Sequence, residues 1–110
     1  MNYIKVTTQF EAQHRWKDAP DEVSFLRNWH RHIFYVTAWF TVQHSDRDLE
    51  FFIQKRKLTD LVRTQYENKK FEKSCEMIAE EICRSYQHCY KVEVSEDNEN
   101  AGGFVLDNPK

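Results

Sequence analysis

An alternation of apolar and polar residues runs along the start of the chain and predicts a β-strand. From Asn2 to Gln13, mostly apolar side chains occupy every second position, with polar or charged side chains between them. Successive side chains of a strand point to opposite faces of the sheet, so this pattern predicts one buried face. The residues of that face are Ile4, Val6, Thr8, Phe10 and Ala12.

A second strand is predicted at 29–42, the longest run rich in β-branched and aromatic residues, which pleated and half-buried strands favour. The residues between the two strands include the turn-forming sequence D-A-P-D at 18–21. The pair is therefore predicted to form a hairpin with a long loop. A polar run at 43–48 ends the second strand, and its His44 is expected to be an exposed turn residue.

The apolar spacing changes to a helical pattern after Leu49. The pattern through Val62 predicts a helix of three or four turns, and the polar run at 67–70 predicts a solvated connection. A second helix is predicted at 71–86, because six residues at helical spacing form one continuous apolar stripe. That stripe consists of Phe71, Cys75, Ile78, Ala79, Ile82 and Tyr86.

The last part of the chain returns to alternation. Residues 90–95 predict a strand whose apolar row ends in the carboxylate of Glu96. A loop is expected at 98–103, where Gly102 and Gly103 interrupt the pattern, and a short last strand at 104–106. The predicted order is ββααββ, an α+β fold in a single domain spanning residues 1–110.

Composition narrows the classes of function. The chain has 110 residues with 16 basic and 18 acidic side chains, so no broad field would steer nucleic acid or a membrane surface. No apolar run is long enough to span a bilayer, and no signal peptide is evident. The odd cysteine number favours thiols in a reducing, cytoplasmic compartment over a disulfide framework. These cysteines are Cys75, Cys83 and Cys89.

Three histidines form a candidate metal site. His30 and His32 share one face of the second predicted strand, and His14 ends the first. Two imidazoles at i and i+2 can converge on one cation, and three histidines with an open fourth position are typical of a catalytic zinc centre. The alternative is that the histidines are packed or hydrogen-bonded core residues without a metal.

Five ordered segments resemble the 6-pyruvoyltetrahydropterin synthase / 6-carboxytetrahydropterin synthase (QueD-like) family. The family's F-x-A-x-H and H-G-H motifs are similar to F-E-A-Q-H at 10–14 and H-R-H at 30–32. Its first helix entry, second helix start and V-x-V-x-E strand are similar to residues 52–58, 74–79 and 92–96. The resemblance implies the tunnelling fold, an antiparallel sheet with two helices on one face. It also implies a homo-oligomer, either trimers or hexamers of two stacked trimeric rings, with sites between subunits.

The resemblance further implies a chemistry. Zn²⁺ would be held by His14, His30 and His32, and Glu96 would anchor a pterin ring through two accepted N–H bonds. The family's substrate is 7,8-dihydroneopterin triphosphate, which loses triphosphate in a carbon–oxygen lyase reaction. Zinc polarises the oxygens of the substrate side chain there, while a cysteine and an Asp–His pair move protons.

The chain departs from the family at its proton-transfer residues. Leu26 stands where the family has its cysteine, and residues 63–72, between the helices, contain no histidine. Asp60 is the nearest remnant of the Asp–His pair, Arg31 replaces the glycine of H-G-H, and Gln54 replaces an aspartate. The catalytic residues are therefore unknown.

These departures leave three functions open. The first is an enzyme that uses another base, with Glu11 and Cys89 as candidates. The second is an inactive homologue that binds a pterin or purine-like ligand. The third is an oligomeric interaction protein that has lost both metal and ligand.

Overall fold

A long antiparallel hairpin forms the centre of the fold. The computed structural model describes residues 1–107. Strand β1 spans Asn2–His14 and β2 spans His30–Val42. They pair along their whole length, from Asn2 opposite Val42 to His14 opposite His30. The hairpin predicted from the sequence is confirmed, and its register places all three histidines at one end.

The connection between β1 and β2 contains a short helix that the sequence pattern did not predict. A 3₁₀ segment spans Asp21–Arg27, beginning after Pro20 and kinked at Val23, whose backbone is not helical. Arg27 fastens this segment, because its Nε donates to the carbonyl of Ala19 at 2.7 Å and its Nη2 to Asp21 at 2.8 Å. Trp16 also donates its N–H to the carbonyl of Leu26 at 2.7 Å, which closes the connection into a compact loop.

Two helices and three further strands complete the fold. They are α1 (Phe51–Gln65), β3 (Lys70–Phe71), α2 (Cys75–Arg84), β4 (Cys89–Glu96) and β5 (Ala101–Val105). The sheet order is β3-β1-β2-β4-β5, and every pairing is antiparallel except that of β3 with β1. The predicted α+β fold is confirmed, with the difference that the sheet is mixed and has a fifth strand.

The second helix is shorter than its apolar stripe predicted. It begins at Cys75 because Ser74 caps it, with the Ser74 hydroxyl accepting the N–H of Met77 at 3.1 Å. Phe71 belongs instead to β3, and Tyr86 lies beyond the helix, yet both pack against the core. The apolar pattern at 71–86 therefore predicted correctly which residues pack against the core, but the helix is shorter than predicted at both ends.

The predicted loop at 98–103 is largely a tight turn followed by a strand. Asp97 and Asn98 have positive φ values of 54° and 60°, and the N–H of Glu99 donates to the carbonyl of Glu96 at 3.0 Å. Two successive residues with positive φ favour the primed turns that join hairpins. The strand starts at Ala101 and includes both glycines, and at Gly103 a Cβ would lie 2.8 Å from the carbonyl oxygen of Val92.

One face of the sheet carries the core, and both helices cover it, as predicted. The residues without exposed surface come from β2, β4 and both helices. They include Phe34, Val36, Ala38, Leu58, Val62, Ile78, Ile82, Val92 and Val94. No helix within residues 1–107 combines the length and apolar character needed to cross a bilayer.

Leu58→Ala tests the packing of α1 on the sheet. Leu58 has 0% exposed surface, so we expect the free energy of unfolding to fall by about 2–5 kcal/mol from lost burial and a residual cavity. Urea denaturation measures this change. Phe52→Ala is the matched control on the same helix, since Phe52 is 69% exposed and should change stability by roughly 0.5 kcal/mol or less. Equal effects of the two substitutions would contradict the packing.

Candidate metal centre

The three predicted histidine ligands converge at the end of the central hairpin. His14 lies opposite His30 in the β1–β2 register, and His32 lies opposite Ala12 on the same face. The ring centroids are 4.6 Å apart for His14 and His30, 4.9 Å for His30 and His32, and 5.2 Å for His14 and His32. The structure therefore brings His30 and His32, which the sequence placed on one face, together with His14 from the end of the first strand.

Glu96 joins this cluster from the neighbouring strand. It ends β4 opposite Phe34, and its Oε2 lies 3.0 Å from Nε2 of His14 and 3.0 Å from Nε2 of His32. One ligand atom from each of the four residues falls within 4.8 Å of the other three. The pKa of Glu96 is lowered, chiefly by the hydrogen bond from His14, so the carboxylate is ionised at neutral pH.

The other ring nitrogen of each histidine faces an oxygen acceptor. Nδ1 of His14 lies 3.2 Å from the Lys73 carbonyl, and Nδ1 of His30 lies 2.8 Å from the Asn28 carbonyl. Nδ1 of His32 lies 2.6 Å from Oδ2 of Asp97. Carbonyl and carboxylate oxygens only accept, so each Nδ1 carries a proton. Without a metal, Nε2 of His14 must also carry a proton to donate to Glu96, whereas with a metal the neutral Nδ1–H imidazole would present its Nε2 lone pair to the ion.

The cluster fits a cation better than it fits protons alone. Converging Nε2 lone pairs beside a carboxylate require positive charge between them, supplied either by imidazolium protons or by a metal ion. Nε2 of His30 is buried and has no hydrogen-bond partner within residues 1–107. A buried polar group left in this way costs about 1–3 kcal/mol. A metal ion would satisfy it, and imidazole nitrogens with a carboxylate oxygen suit zinc.

A cavity of about 520 Å³ opens beside the cluster. His14, His30 and Glu96 form part of its wall, so a molecule bound there would contact a metal held by these residues. Cavities of roughly 300–1,000 Å³ are typical of small-molecule sites. Leu26, which the resemblance aligns with the family's cysteine, also lines the cavity. The remaining wall includes Ser74, Cys75, Glu76, Met77, Ala101 and Gly102.

Glu76 is exposed at the start of α2 and also lines the cavity. It lies in the first turn of α2, and a Cβ at Gly102 would lie only 2.5 Å from its Oε1. Gly102 therefore leaves the room that this carboxylate occupies. The similarity of residues 74–79 to the family's second helix start was the signal that pointed to this position.

The bases suggested by the sequence do not reach the site. Glu11 points to the opposite sheet face, where it pairs with Arg31 at 2.7 Å, and Cys89 is fully buried beside Phe40, far along β2. Within residues 1–107 of one chain, neither residue lines the cavity. Cys75 is the thiol that lines the cavity, but burial, followed by the charges of Glu96 and Glu76, raises its pKa to about 12. It is therefore protonated at neutral pH.

Comparisons with known proteins identify the fold. Neither protein-family models nor curated protein sequences give a significant match. The structure of Caenorhabditis elegans 6-pyruvoyl tetrahydropterin synthase superimposes with a TM-score of 0.71 at 15% identity, covering 94% of each chain. An uncharacterized protein from Wolinella succinogenes gives a TM-score of 0.72 at 10% identity, covering 98% of this chain and 100% of the other. The chain therefore has the pterin synthase fold, as its motifs implied.

His30→Ala tests the metal centre. We expect protein purified without a histidine tag to contain about one zinc ion per chain, and the variant to lose it, because one of three imidazole ligands is removed. Elemental analysis of both proteins measures this. His44→Ala is the control, since His44 lies in an exposed turn beside Asp48. Equal zinc in all three proteins, or none in the wild type, would contradict the site.

Proposed function

We propose that this chain is a zinc protein whose cavity binds a pterin or purine-like ligand. The observation that carries the proposal is the convergence of His14, His30, His32 and Glu96, of which all but His32 line a ligand-sized cavity. The ligand class is supported by the five family-like segments and by the fold shared with a protein named as a pterin synthase. That protein is 15% identical in sequence to this chain, so the identity of the ligand is determined by the titration described below.

The proposed zinc ligands are His14, His30 and His32, with Glu96 beside them. Zinc in this position would act as a Lewis acid on an oxygen of the bound ligand. The chain's own contribution is orientation, because acceptors at each Nδ1 fix the imidazole rings. Glu96 adds a negative charge that offsets part of the charge of the metal.

Two carboxylates are available to anchor a ring. Glu96 was predicted for this role from the resemblance, and its Oε2 is already in contact with two histidines. Glu76 lines the same cavity from α2, opposite Gly102. An ionised carboxylate accepts two parallel N–H bonds from an amino-pyrimidinone edge. In this proposal Glu96 acts mainly on the metal side and Glu76 on the ring side.

Binding is better supported than rapid turnover. The family's lyase reaction uses a cysteine and an Asp–His pair, whereas Leu26 lines this cavity at the cysteine position. In the metal-free chain, burial and the charges of Glu96 and Glu76 raise the pKa of Cys75 to about 12, so its thiol is protonated at neutral pH. Loss of a general base typically slows a reaction by roughly 10²–10⁴-fold. The second candidate function, a slow lyase, therefore ranks below a ligand-binding protein.

A homo-oligomer remains part of the proposal. On its outer side β1 pairs with β3 only at Gln13 and His14, so within residues 1–107 most of this strand edge has no β partner. β5 forms the opposite edge of the sheet. Such edges are suited to strand pairing between subunits. A trimer or hexamer in the cytoplasm stays a prediction from the resemblance and from cysteine usage.

Calorimetric titration of zinc-loaded protein with 7,8-dihydroneopterin triphosphate and with GTP tests the proposal. We expect saturable binding of at least one of them, and triphosphate release slower by roughly 10²–10⁴-fold than in an active family member. Binding of neither compound would contradict the proposed ligand class. Fast release would instead establish the lyase and show that another group replaces the cysteine.

Paired substitutions separate the roles of the two carboxylates. We expect Glu76→Gln to weaken ligand binding by about 10–100-fold with zinc content unchanged, because charge-assisted hydrogen bonds contribute about 1.5–3 kcal/mol. Glu96→Gln should lower zinc content as well. Calorimetry and elemental analysis together distinguish them. Glu80→Gln is the control on the same helix, since Glu80 pairs with Arg84 at 2.9 Å. Equal ligand affinity in Glu76→Gln and wild type would assign the ring to Glu96.

A further inference from the structure

Asp97 connects the β4–β5 turn to β2 through three bonds. Its backbone N–H donates to the carbonyl of Ile33 at 2.8 Å, and its Oδ1 accepts the N–H of Ile33 at 3.0 Å. Its other oxygen, Oδ2, lies 2.6 Å from Nδ1 of His32. One carboxylate therefore bridges the backbone of β2 and the outer nitrogen of a candidate metal ligand.

The position of this carboxylate is set by the fold. The β2–β4 ladder ends where Phe34 faces Glu96, and Asp97 then enters the turn with a φ of 54°. Asp and Asn tolerate this left-handed conformation better than most residues. The side chain returns to β2 and takes the Ile33 N–H beyond the last ladder pair. This anchoring leaves Oδ2 aimed at His32.

His32 differs from the other two histidines in what holds it. Backbone carbonyls of Lys73 and Asn28 accept from His14 and His30, and no substitution of a side chain removes them. His32 is held by a carboxylate. At Nδ1, its ring orientation and tautomer therefore depend on one replaceable side chain, Asp97, while Glu96 lies at its Nε2.

We propose that Asp97 is a positioning residue that fixes His32 as the Nδ1–H tautomer and aims its Nε2 at the metal. The proposal rests on the zinc centre proposed above and adds a determinant of its affinity. A carboxylate that accepts from a ligating histidine orients the ring and makes the metal-bound nitrogen a stronger donor. Asp97 belongs neither to the four clustered residues nor to the cavity wall, so its side chain contacts the centre through His32.

Asp97→Asn tests this role with little change in shape. Asparagine keeps the turn conformation, but its amide presents one oxygen and one NH₂ group. If the oxygen accepts from Ile33, the NH₂ faces His32 and favours the wrong tautomer. If the oxygen faces His32, the NH₂ opposes the Ile33 N–H. We expect zinc affinity to fall by about 10–100-fold, measured by competition with a chromogenic chelator.

Asp48→Asn is the matched control. Asp48 also accepts a backbone N–H, from Gln43 at 2.7 Å, and lies 3.7 Å from the ring of His44, away from the centre. Its substitution should leave zinc affinity unchanged. Long-range ¹H–¹⁵N spectra of the imidazoles give a second readout. We expect the wild type to show His32 protonated at Nδ1, and Asp97→Asn to alter His32 while His14 and His30 keep their signals.

The outcomes separate this inference from the proposed function. Wild-type zinc binding with equal affinity in Asp97→Asn, or an unchanged His32 tautomer, would overturn the positioning role and leave the metal centre standing. Absence of zinc binding by the wild type would overturn the metal centre and this inference with it. Circular dichroism of both Asn variants establishes that they are folded before affinity is compared.

Discussion

The register of the β1–β2 hairpin is the constraint on which the rest of the structure depends. Pairing of His14 with His30, and of Ala12 with His32, puts all three imidazoles on the face that also carries Phe10 and Phe34. A slip by one residue would send every side chain of one strand to the opposite face. The apolar rows that bind both helices therefore also hold the histidines together, so core packing and site geometry are set by the same interaction.

The site concentrates polar groups where the apolar core ends. His14 stacks edge-on against Phe34, with ring centroids 5.1 Å apart, so the histidines continue the aromatic row of the core. Burying a carboxylate beside converging nitrogen lone pairs costs free energy unless a positive charge offsets that cost. The Nδ1 atom of each histidine faces an oxygen acceptor. Nε2 of His30, by contrast, is buried and has no hydrogen-bond partner among residues 1–107. This combination favours a metal ion over an accidental group of histidines.

Sequence patterns predicted the parts that depend on local periodicity. Alternation identified the hairpin, and strand parity placed His30 and His32 on one face, while His14 was a candidate from the end of the first strand and from the resemblance. The patterns failed where tertiary contacts decide. Phe71 fits a helical stripe, but it lies in β3, where its backbone pairs with His14 of β1. The role of Asp97 depends on a turn that reverses the chain onto β2. The position of the Glu76 carboxylate depends on the space left by Gly102, which is distant in sequence.

X-ray absorption at the zinc edge, on zinc-loaded protein, tests the metal centre most directly. The structure predicts a shell of only nitrogen and oxygen ligands at about 2.0–2.1 Å, with the multiple scattering of three imidazoles. A zinc–sulfur distance of about 2.3 Å would instead show that a cysteine binds the metal. A shell without imidazole scattering would show that zinc binds elsewhere. Either of these two results would contradict a centre built from His14, His30 and His32.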